Sequence, residues 1–122
     1  MHASRKQLPT DSLGDGYEAQ VVEWGEYTAY FERIAAGTDF SAYYRTCECP
    51  HFGYVVKGKV RFIYGDGSNE VVSAGEIYFI PPGHTFQVLE DAETVEFSPT
   101  HEYRQHMDTV ARNMVAPLGR PR

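Results

Sequence analysis

The sequence has only two cysteines, Cys47 and Cys49, and they stand two residues apart. A disulfide at that spacing would be strained, so both are expected as free thiols in a reducing compartment. Cationic side chains are also few: 11 Lys and Arg against 17 Asp and Glu leave a net charge of −6. That balance speaks against attraction to nucleic acid or anionic lipid. No apolar run reaches the length of a membrane span, and none follows Met1 to Gln7 as a signal peptide would require. The expected location is the cytoplasm. Internal repeats, glycine-rich phosphate loops, a helix-turn-helix and a recognisable Ser or Cys nucleophile motif are all missing. The Cys-x-Cys pair also lacks the second Cys or His pair of a zinc finger.

A chain of 122 residues is the size of one domain. Aromatic residues make up 14% of it, mostly Tyr and Phe, and these favour pleated, half-buried surfaces. Residues 1–16 are polar and broken by Pro9, Gly14 and Gly16, which predicts a flexible N-terminal arm. From Tyr17 the pattern becomes extended, with a first strand ending at Gly25 and a second from Tyr27 to Ile34. Further short strands are expected at Lys59 to Tyr64, Val71–Val72, Ile77 to Ile80, Thr85 to Leu89 and Thr94 to Phe97. Gly65 to Asn69 reads as a tight hairpin turn, and Glu90-Asp91-Ala92 as a polar turn. Many short strands at this spacing predict an all-β sandwich or barrel over residues 17–98.

The pattern changes at Ser98-Pro99, where Ser98 suits a helix N-cap and Pro99 the first helical position. Tyr103, Met107, Val110 and Met114 then recur at spacings of four, three and four. This predicts an amphipathic C-terminal helix over 99–116, stopped by Pro117 and packed on the barrel or on a dimer partner.

The densest chemistry lies in Cys47-Glu48-Cys49-Pro50-His51. Alternation along an extended strand would put Cys47, Cys49 and His51 on one face. Thiolate and imidazole are the preferred donors of zinc and neighbouring transition metals. Pro50 pushes Cys49 toward extended geometry and suits a strand's start or edge. Glu96, between Val95 and Phe97, would add an oxygen ligand or a general base if it faced inward. His2, His101 and His106 are expected at the surface.

From about Thr46 to Ser98 the residues resemble the cupin superfamily of small jelly-roll barrels. The second cupin motif is matched by Gly75, five intervening residues, and Pro81-Pro82-Gly83. In the first motif, counting back from Gly58 places His51 on the usual Glu position and Cys47 on the second His position. The first His position falls on Arg45 and the second-motif His position on Phe86. Cys49 and His84 each stand two residues from a family ligand position, so each would keep its inward face while moving roughly 6–7 Å along its strand. The resemblance therefore implies a cupin-type jelly roll with a substituted metal site built from Cys47, Cys49, His51 and His84.

The leading expectation is a metal-binding single-domain cupin that binds or acts on a small anionic or carbonyl molecule, with its reaction open. One divalent transition metal is expected, zinc first, with iron, copper or nickel as alternatives. The other readings are a metal-free small-molecule binding or sensing module and a purely structural zinc site. By resemblance the protein is expected to form a homodimer.

Overall fold

The computed structural model describes residues 1–14 and 16–119, with 115–119 described by backbone alone. Among the described residues, seven strands precede one helix: β1 (Asp11–Ser12), β2 (Tyr17–Trp24), β3 (Tyr27–Ile34), β4 (His51–Tyr64), β5 (Asn69–Ser73), β6 (Ile77–Ile80), β7 (His84–Pro99) and α1 (Thr100–Gly119). All pairings are antiparallel in the order β1-β2-β3-β7-β4-β5, with β6 paired to the first residues of β4. The strands form a jelly-roll barrel that closes around Val55, Val60, Phe62, Ile80 and Val88, all buried. Among the described residues no helix is long and apolar enough to cross a membrane.

The hairpins follow from local sequence. At Gly65–Ser68 the Tyr64 amide donates to the Ser68 carbonyl at 2.9 Å, and the Ser68 amide donates to Asp66 Oδ1 at 2.9 Å. This is the side-chain-to-backbone turn that Asp favours. The β2–β3 hairpin turns at Gly25 and pairs Tyr17 with Ile34 at its far end.

The long strands depart from the expected series of short ones. β7 runs unbroken through Glu90-Asp91-Ala92, read from sequence as a turn. Glu90 and Asp91 face solvent and Ala92 is buried, so their polarity marks an outer face rather than a chain reversal. Opposite them, the β4–β7 register shifts between Val55 and Val60. Gly58 sits inside this bulge with φ +86°, and a Cβ there would run into the backbone of Asp91 and Ala92. A bulge increases local twist and bends the strand, which lets β4 and β7 turn a corner together.

Ser98 and Pro99 belong to β7, not to the helix start. α1 begins at Thr100, whose hydroxyl meets that of Thr28 at 2.8 Å. The helix continues to Gly119, beyond the stop expected at Pro117. A proline in a last turn removes one donor without undoing the turns before it. Tyr103 of α1 packs on Tyr30 with ring centroids 4.7 Å apart. Within residues 1–16, β1 pairs with β2, and Arg5 bridges to Glu93 at 2.8 Å.

Gly58→Ala is expected to cost at least about 2 kcal/mol of stability, since it adds a backbone clash to the left-handed penalty of roughly 1–2 kcal/mol. Gly67→Ala, at φ +88° with nothing near its Cβ, should cost only the conformational part. Chemical denaturation of the two variants checks this, and equal losses would remove the close approach as a cause.

Candidate functional site

The site forms where the chain enters β4 and β7. Cys47 precedes β4 and makes an isolated bridge to His84, the first residue of β7. The Cys47 amide donates to the His84 carbonyl at 2.7 Å, and the Gly83 amide donates to the Cys47 carbonyl at 2.8 Å. His51 opens β4. Cys47, His51 and His84 are all buried, and their donor atoms lie within 4.8 Å of one another.

Hydrogen bonds fix which ring nitrogens face the cluster. His84 Nδ1 lies 2.8 Å from the Pro81 carbonyl. A carbonyl only accepts, so Nδ1 carries the proton and Nε2 keeps a free lone pair. Tyr30 Oη and Ser98 Oγ each lie 2.8 Å from His51 Nδ1 and from each other. That pair occupies Nδ1 and leaves Nε2 facing Cys47 Sγ at 3.5 Å. Burial pushes both imidazoles down to about 4, so both are neutral near pH 7, the form that ligates metals. Burial also drives the Cys47 thiol well above its ordinary range; a cation entering here must displace that proton.

The donor set suits a borderline-soft ion. One sulfur and two imidazole nitrogens make a three-ligand arrangement with a fourth position left open. A tetrahedral ion would hold its donors roughly 3.4–3.6 Å apart, from bond lengths of about 2.0–2.3 Å. The Cys47–His51 separation already lies in that range.

Cys49, the fourth residue expected in the set, is not in this group. Alternation of faces holds within a ladder, and β4 begins only at His51. Cys49 lies in a bend before it, with Sγ 3.5 Å from the Pro50 carbonyl. It packs in a buried cluster with Tyr30, Tyr103 and Cys47. Burial raises its thiol to about 11. Arg45, on the family's first His position, is exposed. Phe86, on the second-motif His position, lines the cavity as an apolar wall.

Beside the cluster lies a cavity of about 60 Å3, room for roughly four water molecules. Two carboxyls project into it. Glu32 accepts hydrogen bonds from Tyr17 and from Thr94, the latter at 3.0 Å. Glu96, inward-facing on β7, accepts one from Tyr78 and has an oxygen 3.6 Å from His51 Nδ1. Burial, then the facing Glu96, push the Glu32 carboxyl up to about 8; burial raises Glu96 as well. His106 of α1, expected at the surface, lines the cavity and packs edge-on against Tyr44 at 4.6 Å. The helix thus covers the cavity.

Glu32, Tyr17, Tyr30, Tyr78 and Ser98 carry no motif. Their signal is one of period: Tyr30 and Glu32 share the inward face of β3 with Thr28 and Ile34, as the alternating burial of that strand shows. A charged residue on an apolar stripe is the mark that could have found Glu32.

A small antiparallel jelly roll with a buried thiol–imidazole cluster is the class that this fold and site define. Residues 30–98, more than half of the chain, match the cupin domain family. The chain belongs to that family. Solved structures agree on the fold. An RmlC-like cupin from Shewanella frigidimarina NCIMB 400 is 21% identical with a TM-score of 0.65, over 80% of this chain and 87% of that one. KdgF from Halomonas sp. is 18% identical with a TM-score of 0.60, over 79% and 90%. A deletion mutant of the Bacillus subtilis oxalate decarboxylase OxdC is 18% identical with a TM-score of 0.58, over 80% of this chain but 28% of that one. No curated protein matches the sequence.

The folded state keeps the Glu32 proton to about pH 8, whereas the ordinary carboxyl value is 4.5. Its stabilisation is therefore complete below pH 4.5 and is lost as pH rises to about 8. The buried imidazoles act oppositely, with folded values near 4 against 6.5, and their contribution is complete above pH 6.5. In chelator-treated protein the thermal midpoint should fall between about pH 6.5 and 8, and Glu32→Gln should reduce that fall. A level or rising wild-type midpoint in this window would mean that Glu32 is ionised in the fold.

Proposed function

We propose that this cupin holds one divalent transition-metal ion on Cys47, His51 and His84 and binds or acts on a small molecule in the adjoining cavity. The observation that carries the reading is the convergence of three buried donors, Cys47, His51 and His84, within 4.8 Å of one another. Zinc is the first choice for one sulfur and two nitrogens, with iron, copper and nickel as alternatives. Once bound, such an ion supplies a Lewis acid at its open position. Around it, Tyr30 and Ser98 orient His51, and the Pro81 carbonyl orients His84. Glu32 holds a proton near neutral pH on the cavity wall and is the residue placed to give or take one. A closed structural site is disfavoured, because it needs a fourth protein donor and Cys49 is not among the donors within 4.8 Å of one another. Unpaired buried thiols suit the reducing cytoplasm.

Untagged protein purified without added metal or chelator is expected to carry one equivalent of metal per chain by elemental analysis. Cys47→Ser, His51→Ala and His84→Ala should each remove most of it, and Cys49→Ala should not. Protein that holds no metal and takes none up on titration would favour the alternative, a metal-free binding or sensing module.

A homodimer is the second part of the proposal. The outer faces of β6, β4 and β7 expose Ile77 (83%), Phe52 (62%), Phe79 (51%) and Phe97 (48%) side by side. The Phe52 and Phe79 rings pack at 4.8 Å. Aromatic residues grouped on an outer sheet face are the composition of an interface core, and a second copy covers them symmetrically. Light scattering should give a dimer for the wild type and a monomer for Phe52→Glu combined with Phe79→Glu. A wild-type monomer at high concentration would count against this pairing.

A further inference from the structure

The cavity is lined by carboxyls and hydroxyls, with no Lys or Arg among the described residues. Its lining includes Glu32 and Glu96, six tyrosines, and a wall of Phe40, Phe62 and Phe86. The basic side chains of neighbouring β3 and the N-terminal segment are engaged outside the barrel: Arg33 lies 3.6 Å and Arg5 2.8 Å from Glu93.

We propose that the cavity takes a small uncharged or cationic ligand that presents hydrogen-bond donors, a short polyol or amino alcohol, and turns carboxylates away. This rests on the small-molecule reading above and narrows its ligand class, replacing the anionic molecule expected from sequence.

Three lines of chemistry support it. An ionised carboxyl offers about four lone-pair sites, and a protonated one keeps part of that capacity beside its single O–H donor. Tyr17 and Thr94 use two at Glu32, and Tyr78 uses one at Glu96. Acceptor capacity therefore remains on the wall, and hydroxyl or ammonium donors satisfy it. An incoming carboxylate would instead bring a full negative charge into a buried space where, among the described residues, no Lys or Arg offsets it, a burial that costs affinity. An ion on the cluster does not reverse this. Of its two positive charges the Cys47 thiolate removes one, and the acidic wall stands beside what is left. Size points the same way, since room for roughly four waters admits only a few heavy atoms.

The test titrates full-length protein calorimetrically with three probes on one three-carbon skeleton: propane-1,2-diol, 1-amino-2-propanol and lactate. The diol and the amino alcohol should each bind at least about tenfold more tightly than lactate, a margin of about 1.4 kcal/mol. Glu32→Gln should narrow the gap between diol and lactate while keeping a cooperative thermal transition. Lactate binding as tightly as the diol, or no binding of any probe, overturns the proposal from wild-type data alone. Running metal-loaded and chelator-treated samples, each with its metal content measured, separates the two claims. A diol preference in protein that takes up no metal supports this inference while the metal reading fails. One equivalent of metal together with a lactate preference does the reverse.

Discussion

The pairing of β4 with β7 is the constraint on which the rest depends. These are the two longest strands, and they run antiparallel from Phe52–Phe97 at one end to Tyr64–His84 at the other. Their register decides which side chains face the interior. Gly53 opposite Glu96 and Val55 opposite Thr94 turn Glu96 and Thr94 inward, while Phe52 and Phe97 are left on the outside. A slip of one residue would exchange the two faces. The bulge at Gly58 lets the ladder bend without losing that register. Site, core and outer aromatic face therefore share one cause.

Burying so many ionisable groups is costly, and the barrel meets the cost with hydroxyls rather than charges. Tyr17 and Thr94 serve Glu32, Tyr78 serves Glu96, and Tyr30 with Ser98 serves His51. Buried polar groups are tolerated when they are hydrogen-bonded. Neutral partners leave the carboxyls protonated or shared, where a buried arginine would have held them ionised. A barrel built this way can keep a proton beside its ligand cluster at ordinary pH.

Much of this was legible in the chain. Strand alternation placed β2, β3 and β6, the Gly65–Ser68 turn was readable from its Asp and glycines, and the Pro81-Pro82-Gly83 signature led to the cupin family. Cys47, His51 and His84 were readable as ligand candidates. Cys49 was placed with them on the assumption of a continuous strand, and that assumption breaks at the bend before His51. Ser98 looked like a helix cap because Ser before Pro has that meaning locally; only the fold brings it to His51. Glu90-Asp91-Ala92 looked like a turn because polarity in sequence does not distinguish a reversal from an exposed edge. Glu32 meets its partners through the β2–β3 and β3–β7 pairings, a long-range fact with no local signature.

The bridge between Cys47 and His84 ties the cluster together through the backbone. Backbone hydrogen bonds hold these two residues together, and the Pro81 carbonyl sets one imidazole. Small zinc domains depend on their ion to fold; a cluster tied by its own backbone would not. Under the proposed metal reading, occupancy would then be uncoupled from folding. The occupant in a cell would be settled by which metal is in supply as much as by the protein's own preference.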